Sequence, residues 1–325
     1  MSRKSFTERR APDAPVEVVL GCMNFGKRTS AADSEKIIAR AIERGVTAFD
    51  TANAYADGES ERVLGKALAG RREQFQIATK VGFGRGGGKP EGLSRARILS
   101  AIDESLARLG MDHVDLYYLH VPDATTPITE SLAALGELVE QKKIGAVGVS
   151  NYAAWEIVEM LGLAREKGTP KPAVSQVLYN LLIRQIEIEY VKLTKRHAFH
   201  TTVYNPLAGG LLSGRHTRAG DTMPGSRFHK NKMYQSRYWS ERFFDLVEAY
   251  RMLAAEAGLS LVELSYMWLA GQKHVDSILV GPGSLEHLDA ALDAIQSDKK
   301  LDGDLLEKID QIHKSFQGTD ASYVR

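Results

Sequence analysis

Cysteine is almost absent from this sequence, and its scarcity excludes two kinds of site. Cys22 is the only cysteine among the 325 residues, so the chain can form neither an internal disulfide bond nor a metal centre built from several thiolates. We assign no metal ligand to any residue.

Long hydrophobic runs and a strong net charge are also missing. No stretch of about 18 apolar residues occurs, so we expect no membrane-spanning helix. Residues 1–15 are polar and mildly basic, without the apolar segment of a secretory signal. The formal net charge is only +1, which gives no indication of a nucleic-acid partner. With 43% hydrophobic residues, the composition favours a globular cytoplasmic protein that binds neither membrane nor nucleic acid.

The main structural signal is a regular alternation of two kinds of segment. Short apolar runs, typical of buried strands, alternate with amphipathic segments, typical of helices. The apolar runs predict strands at residues 16–20, 46–49, 75–79, 114–119, 144–149, 173–177, 201–204 and 277–280. The amphipathic segments predict helices near residues 30–44, 60–68, 94–109, 127–141, 155–161, 185–196, 243–257, 261–270, 284–295 and 305–316. Residues 205–240 interrupt the alternation, and we predict them to be irregular.

Strand–helix units that repeat without a linker predict an α/β fold. An open, doubly wound sheet competes with a closed (β/α)8 barrel, since both produce this alternation. No Gly-x-Gly-x-x-Gly follows the first strand, and the glycine run at 86–88 lies in the loop after the third strand. We therefore predict that residues 1–325 form a single TIM-barrel domain with long loops at its C-terminal mouth.

Polar side chains follow most of the predicted strands directly. These strand-end residues are Asp50, Lys80, His120, Ser150, Asn151, Gln176 and Tyr204. Each alone has an ordinary explanation, such as capping a turn or being solvated. In a (β/α)8 barrel, however, the C-terminal strand ends surround one mouth, where active sites lie. Their recurrence at successive strand ends therefore predicts a common active site.

Several motifs then resemble one known family. In chain order they are LGCMNFG, FDTANAY, GESERVLGKAL, ATKVG, DLYYLH, IGAVGVSNY, QVLYNLL and YNPLAGGLLSGR. Together they resemble the aldo-keto reductases from about residue 18 to residue 316. The likeness is strongest to the subfamily that reduces aflatoxin dialdehyde and succinic semialdehyde, and to related bacterial reductases.

The resemblance implies NADPH-dependent reduction of aldehydes, with ketones as a further substrate class. It implies a catalytic tetrad of Tyr55, Asp50, Lys80 and His120. In such a tetrad Tyr55 is the proton donor, and a nearby Lys80 ammonium is expected to lower the tyrosine pKa from its ordinary value of about 10. Asp50 would hold Lys80 in place, and His120 would polarise the substrate carbonyl.

The resemblance also implies a cofactor site. Ser150, Asn151 and Gln176 would bind the nicotinamide carboxamide, and Tyr204 would stack on the ring. The pyrophosphate would lie along the loop after the seventh strand, at Asn205, Leu207, Gly209, Ser213 and Arg215. Further contacts are assigned to Met23, Gly283, Ser284 and His287.

One segment departs from the family pattern at the adenosine end of this site. Ala290 and Ala291 stand where related sequences carry a polar pair. Ser284, at a helix start, still suits an anion, and His287 could add a charge below a pH of about 6.5. NADPH is therefore expected, with NADH left open.

Substrate contacts and rival functions remain open at this level. Residues that could reach the mouth are Met23, Asn53, Arg85, the segments 228–239 and 323–325, and the anion-binding candidates Arg227, Arg237 and Arg325. The rival functions are a cofactor-binding regulatory subunit, like the potassium-channel β subunits of the same superfamily, and a barrel enzyme of unrelated chemistry. The complete order of motifs argues against the latter. The oligomeric state and the physiological substrate are not predicted.

Overall fold

Eight parallel strands form a closed barrel in the computed structural model, which describes residues 7–84, 89–218 and 222–319. The strands are β1 (Glu17–Gly21), β2 (Ala48–Asp50), β3 (Gln76–Val81), β4 (Val114–Leu119), β5 (Ile144–Ser150), β6 (Pro172–Leu178), β7 (His200–Tyr204) and β8 (Ser277–Val280). Each strand pairs with its neighbour in sequence, and β8 closes the ring on β1. The prediction of a (β/α)8 barrel is confirmed.

Helices follow the strands and cover the outside of the barrel. They are α1 (Ala31–Glu43), α2 (Glu59–Ala67), α3 (Arg95–Leu109), α4 (Ile128–Glu140), α5 (Ala154–Lys167), α6 (Tyr190–Arg196), α7 (Lys232–Tyr238), α8 (Glu241–Glu256), α9 (Leu261–Gly271), α10 (Leu285–Ile295) and α11 (Gly303–Gln317). Serine side chains accept a backbone N–H at several helix starts, including Ser30 and Ser94. Such caps explain why those helices begin where the sequence predicts.

The core has two layers, because successive strand side chains point to opposite faces of the sheet. Aliphatic side chains and one tyrosine fill the barrel interior: Val19, Ala48, Ala78, Leu116, Tyr118 and Val174. A much larger cluster of aliphatic and aromatic side chains packs between strands and helices. Since Ala78 points inward, Thr79 points outward toward the helices and Lys80 points into the barrel again.

The segment before β1 closes the end of the barrel opposite the C-terminal strand ends. The Arg9 guanidinium donates to the buried Asp276, which immediately precedes β8, at 3.0 Å. The backbone N–H of Arg10 donates to the same carboxylate at 2.8 Å, and its guanidinium donates to the Gln272 carbonyl. The opposite, C-terminal end is therefore the side open to ligands.

Two helix predictions need correction. Residues 205–240 are not wholly irregular, since they contain a short 3-10 helix, Ala208–Ser213, and α7. Aromatic packing within the segment holds α7: Phe228 contacts Tyr234, Tyr238 and Trp239, and the residues before and after α7 show no continuous helical periodicity. The helix predicted at 185–196 is divided into a 3-10 turn, Gln185–Glu187, and α6. No helix among the described residues is long and apolar enough to cross a membrane.

Candidate active site

One large cavity of about 860 Å³ opens at the C-terminal end of the barrel. Most of the strand-end and loop residues singled out in the sequence line it: Met23, Asp50, Tyr55, His120, Ser150, Asn151, Gln176, Tyr204, Asn205, Leu207, Gly209, Ser213, Arg215, Gly283 and His287. Two residues of the predicted set do not. Lys80 lies directly behind Asp50 and Tyr55, fully buried, and Ser284 uses its Oγ to accept the backbone N–H of His287 as the cap of α10.

A chain of polar contacts joins three of the predicted catalytic residues. Nζ of Lys80 donates to the Asp50 carboxylate and, at 2.7 Å, to the Thr51 carbonyl. The same nitrogen lies 3.4 Å from the Tyr55 hydroxyl and 4.8 Å from the centre of the Tyr55 ring. The Gln176 amide donates to the other Asp50 oxygen at 2.9 Å. Asp50 thus holds Lys80 against Tyr55 and is itself held by Gln176.

Burial dominates the electrostatics of this chain. The side chains of Lys80 and Asp50 are 0% and 2% exposed. Burial raises the pKa of Asp50 and lowers the pKa of Lys80, while the attraction between the two charges opposes both changes. The charged form of Asp50 is therefore stabilised by the charge of Lys80, and the charged form of Lys80 by that of Asp50.

Tyr55 differs from the expectation in one respect. Burial, followed by the nearby Asp50 charge, raises the pKa of Tyr55 well above its ordinary value. The predicted lowering of this pKa by Lys80 is therefore wrong for the protein without its ligands, because loss of water outweighs the contact with the ammonium. The Tyr55 hydroxyl consequently keeps its proton at neutral pH.

His120 faces Tyr55 across the cavity. The two rings meet edge to face, with centroids 5.6 Å apart, and Phe83 packs against the other side of the imidazole at 5.0 Å. Burial, and then the charge of Lys80, lower the pKa of His120 well below its ordinary value. A neutral imidazole at this place can act as a hydrogen-bond partner and not as a cation.

Polar side chains at the ends of β5, β6 and β7 line the cavity beside Tyr55. The Asn151 amide donates to the His120 carbonyl at 2.9 Å and to Ser150 Oγ at 3.1 Å. Its oxygen accepts the Tyr204 hydroxyl at 2.6 Å, and its backbone is held in the left-handed region with φ 65°. Tyr204 is thereby fixed by its hydroxyl, which leaves its ring at the cavity surface.

The loop after β7 brings backbone close to the cavity. Gly209 and Gly210 have φ of 70° and 111°, a conformation that other residues rarely adopt. A Cβ on Gly209 would lie 2.8 Å from the Tyr234 ring, so a larger residue would not fit. Arg215, at the end of this loop, donates to Ser213 Oγ at 3.4 Å.

The far end of the cavity lies at the start of α10. Arg215 and His287 both line this end of the cavity, and burial, followed by the charge of Arg215, lowers the pKa of His287. Of the two alanines that depart from the family pattern, Ala290 lines the cavity, whereas Ala291 is fully buried in the hydrophobic core. Only position 290 is therefore placed to affect a ligand directly.

Arginines also line the outer part of the cavity. Arg28, Arg215, Arg227 and Arg237 all face it, and none pairs with a carboxylate within the part of the chain that the structure describes. Arg227 donates to Asn205 Oδ1 at 3.0 Å, and both Arg227 and Arg237 lie about 6 Å from the Tyr234 ring centre. The cavity is thus positively charged at its outer rim and neutral beside Tyr55.

Some expected contacts fall elsewhere. Asn53 is fully buried, donates to Glu91 at 2.8 Å and does not line the cavity, so its assignment to the mouth is wrong. Arg85, the glycine run at 86–88 and residues 323–325, Arg325 included, lie outside the described residues.

The sequence reasoning missed several cavity residues, among them Asn24, Arg28 and His216. Asn24 stands inside the LGCMNFG motif, which was the available signal for it.

Comparison with known proteins gives consistent matches along nearly the whole chain. The sequence profile of the Aldo/keto reductase family matches residues 17–314. Aldo-keto reductase family 7 member A3 of Homo sapiens is 35% identical over 307 residues, covering 89% of this chain and 91% of that protein. Aflatoxin B1 aldehyde reductase member 2 of Homo sapiens is 34% identical over 304 residues, covering 88% and 84%. A probable voltage-gated potassium channel subunit beta of Arabidopsis thaliana is 31% identical over 307 residues, covering 93% of each chain.

Proposed function

Because the chain belongs to the aldo/keto reductase family, NAD(P)H-dependent oxidoreductases of small carbonyl compounds, we propose that it reduces aldehydes to alcohols with NADPH as cofactor and Tyr55 as proton donor. The resemblance inferred from the motifs is thereby confirmed at the level of the family. The observation that carries the proposal is the contact chain in which Lys80 joins Asp50 to Tyr55 beside the cavity. We also propose that residues 1–325 form a single domain.

The polar groups of the cavity fit a nicotinamide nucleotide. Two of the residues that line it each have a buried polar atom, Nδ1 of His120 and Oδ1 of Asn24, without a hydrogen-bond partner among residues 7–84, 89–218 and 222–319. Ser150, Asn151 and Gln176 present amide and hydroxyl groups of the kind that bind a carboxamide. Tyr204 offers a flat ring for stacking, and the glycine-rich loop with Arg215 offers backbone N–H groups and a positive charge for a pyrophosphate. The predicted contacts of Met23, Asn205, Leu207 and Gly283 complete this proposed site.

The protein's own part in the chemistry is positioning and proton transfer. When bound, the cofactor supplies the hydride that reduces the carbonyl carbon. The Tyr55 hydroxyl donates its proton to the carbonyl oxygen, and the Lys80 ammonium stabilises the phenolate that remains. Neutral His120 hydrogen-bonds the carbonyl oxygen and fixes its direction toward Tyr55. Gln176 and Asp50 keep Lys80 charged at the moment when the phenolate forms.

A preference for NADPH rests on the Arg215 charge and on the N-terminus of α10. Arg215 and His287 both line the cavity there, at the N-terminal end of α10, whose dipole also favours an anion. Together they suit the 2′-phosphate that distinguishes NADPH from NADH, even though Ala290 adds no polar contact.

The rim arginines favour an aldehyde that also carries an anionic group. Arg227 and Arg237 flank Tyr234 at the rim, and neither guanidinium is neutralised by a carboxylate of the described chain. A substrate carboxylate could pair with them while its carbonyl lies beside Tyr55. The name of the human relative, aflatoxin B1 aldehyde reductase, independently supports an aldehyde as the reacting group.

A regulatory role is the second candidate function. The Arabidopsis relative is named a probable voltage-gated potassium channel subunit beta, and it is matched over 93% of this chain. A protein of that kind would bind the cofactor at the same cavity without needing rapid turnover.

The experiment that separates the two functions follows NADPH absorbance with a panel of aldehydes and ketones, half of them bearing a carboxylate. We expect rapid NADPH loss with aldehydes, faster for the anionic ones. Tight NADPH binding without turnover of any carbonyl compound would favour the regulatory role and contradict the proposed reduction.

A further inference from the structure

The turn that carries Tyr55 is held in an unusual backbone conformation. It is a 3-10 turn, Tyr55–Gly58, between β2 and α2, in which Ala56, Asp57 and Gly58 have φ of 49°, 55° and 90°. Residues with side chains seldom adopt the left-handed region, and two of them in succession need support from outside the turn. The direction of the Tyr55 side chain therefore depends on what fixes this turn.

The support comes from α3, on the outer side of the barrel. Gly58 lies against Arg108 so closely that a Cβ at Gly58 would be 2.6 Å from Cδ of the arginine. Nε of Arg108 donates to Oε2 of Glu61 at 2.6 Å, and Nη2 donates to Ser105 Oγ at 3.2 Å. Arg108 is thus fixed both on its own helix and on α2, and its stem supports the end of the Tyr55 turn.

Glu61 connects the same turn to the strand that carries Lys80. Its other oxygen, Oε1, accepts the hydroxyl of Thr79 at 2.6 Å. Thr79 precedes Lys80 in β3 and points outward while Lys80 points into the barrel. Glu61 is 0% exposed and Arg108 is 8% exposed, so the pair is shielded from solvent. One carboxylate therefore ties the start of α2, β3 and α3 together just behind Tyr55 and Lys80.

The stability of the fold does not by itself explain why the ion pair Glu61–Arg108, and not a pair of apolar side chains, is buried behind Tyr55. Buried ion pairs can often be replaced by apolar side chains of similar volume without loss of stability. Carboxylate and guanidinium groups, however, fix directions that apolar contacts leave free. We propose that Glu61 and Arg108 are positioning residues, which hold the Tyr55 turn at the distance from Lys80 that proton transfer requires. This inference rests on the proposed role of Tyr55.

The test compares three variants with the full-length protein: Arg108→Met, Glu61→Gln and the double variant. Arg108→Met keeps the methylene stem but removes the guanidinium, and Glu61→Gln keeps the shape but removes the charge. We expect kcat to fall by about 10- to 100-fold in each, since small misplacements of a catalytic group have effects of this size. The KM of the aldehyde and the Kd of NADPH should change less than about threefold. Because the pair acts as a unit, the double variant should lose no more than the worse single variant.

The pH dependence of kcat distinguishes an electrostatic effect on Lys80 from a loss of packing, because loss of packing alone would not shift the pH at which kcat changes. Burial lowers the pKa of Lys80, and the titratable groups that face it are Asp50, Tyr55, Tyr118, His120, Cys22 and Glu61. Among them, the Glu61 charge raises the pKa of Lys80. Glu61→Gln should therefore move the alkaline limb of the profile to lower pH. Arg108→Met keeps the carboxylate and should not move it in that direction.

Two control variants show whether a loss of turnover is specific to the Glu61–Arg108 pair. Arg72 forms a comparable, partly buried ion pair with Asp115, but just before β3, at the opposite end of the barrel, so Arg72→Met should leave kcat within about twofold of wild type. Arg108→Lys keeps a charge for Glu61 and should restore part of kcat. If a single variant does not fold, the double variant, which leaves no ion unpaired, supplies the comparison.

The possible outcomes separate this inference from the proposed function. If Tyr55→Phe abolishes turnover while the folded Arg108 and Glu61 variants keep wild-type kcat, the positioning role is wrong and the proton donor stands. An equal loss in Arg72→Met would also overturn it. If Tyr55→Phe keeps turnover, the proposed function itself fails.

Discussion

Replacing Asp50 by asparagine should reduce both stability and turnover, and the size of the first effect can be worked out. Asp50 and Lys80 form a fully buried ion pair, which Asp50→Asn breaks on one side only. Removing one partner of such a pair typically costs about 3–5 kcal/mol, because the remaining charge stays buried without compensation. An unfolding entropy of roughly 2.1 cal/mol/K per residue amounts to about 0.7 kcal/mol/K for 325 residues. The melting temperature should therefore fall by roughly 4–7 °C.

Turnover should fall for a related reason. Burial already lowers the pKa of Lys80, and the Asp50 charge is the strongest opposing influence. Without that charge the ammonium form is less populated, and Tyr55 loses the group that stabilises its phenolate. We expect kcat to fall by about 10²-fold, with the Kd of NADPH little changed.

The double variant Asp50→Asn/Lys80→Met separates the two effects. It removes both charges, so most of the lost free energy of unfolding should return, while turnover should stay low. Urea denaturation measures the first quantity and the steady-state assay the second. A melting temperature for Asp50→Asn equal to wild type, or a double variant with restored turnover, would refute the reasoning.

Three further predictions concern the cofactor and substrate ends of the cavity. Arg215→Gln should raise the Kd of NADPH by about 10- to 100-fold and that of NADH less, since a charged hydrogen bond contributes about 1.5–3 kcal/mol; equal losses for both would contradict a contact with the 2′-phosphate and leave only the pyrophosphate contact. Burial and Arg215 lower the pKa of His287 below about 6.5, so its cation forms only at acid pH. The part of the NADPH preference that is due to His287 should therefore strengthen as the pH falls further below that value and weaken as the pH rises, and it should vanish in His287→Ala. Arg237→Met should raise the KM of a carboxylate-bearing aldehyde by about tenfold and leave that of an uncharged aldehyde unchanged; a similar increase for both would exclude anion recognition.

The sequence predicted the strands well because each one is a short, continuous apolar run. β4 and β8 begin and end where the apolar runs do, and His120, the polar residue directly after β4, lines the cavity at the barrel mouth. Strand-end chemistry can be anticipated in this way, since parallel strands bring their carboxyl ends together whatever the details of packing.

Features that depend on three-dimensional packing were out of reach. α7 forms within a segment without helical periodicity, because the ring of Phe228 and its neighbours hold it. The pKa of Tyr55 is raised and not lowered, since sequence shows that Lys80 is near but not how little water surrounds the pair. Nothing local to Arg108 indicates that it supports the Tyr55 turn.

The most direct test of the account is the turnover of Tyr55→Phe, measured by NADPH consumption with a saturating aldehyde beside the Kd of NADPH. Phenylalanine keeps the ring against His120 and removes only the hydroxyl that Lys80 faces. We expect kcat to fall by about 10²- to 10⁴-fold while the Kd changes less than about threefold. A variant that binds NADPH normally and still turns over at the wild-type rate would contradict it.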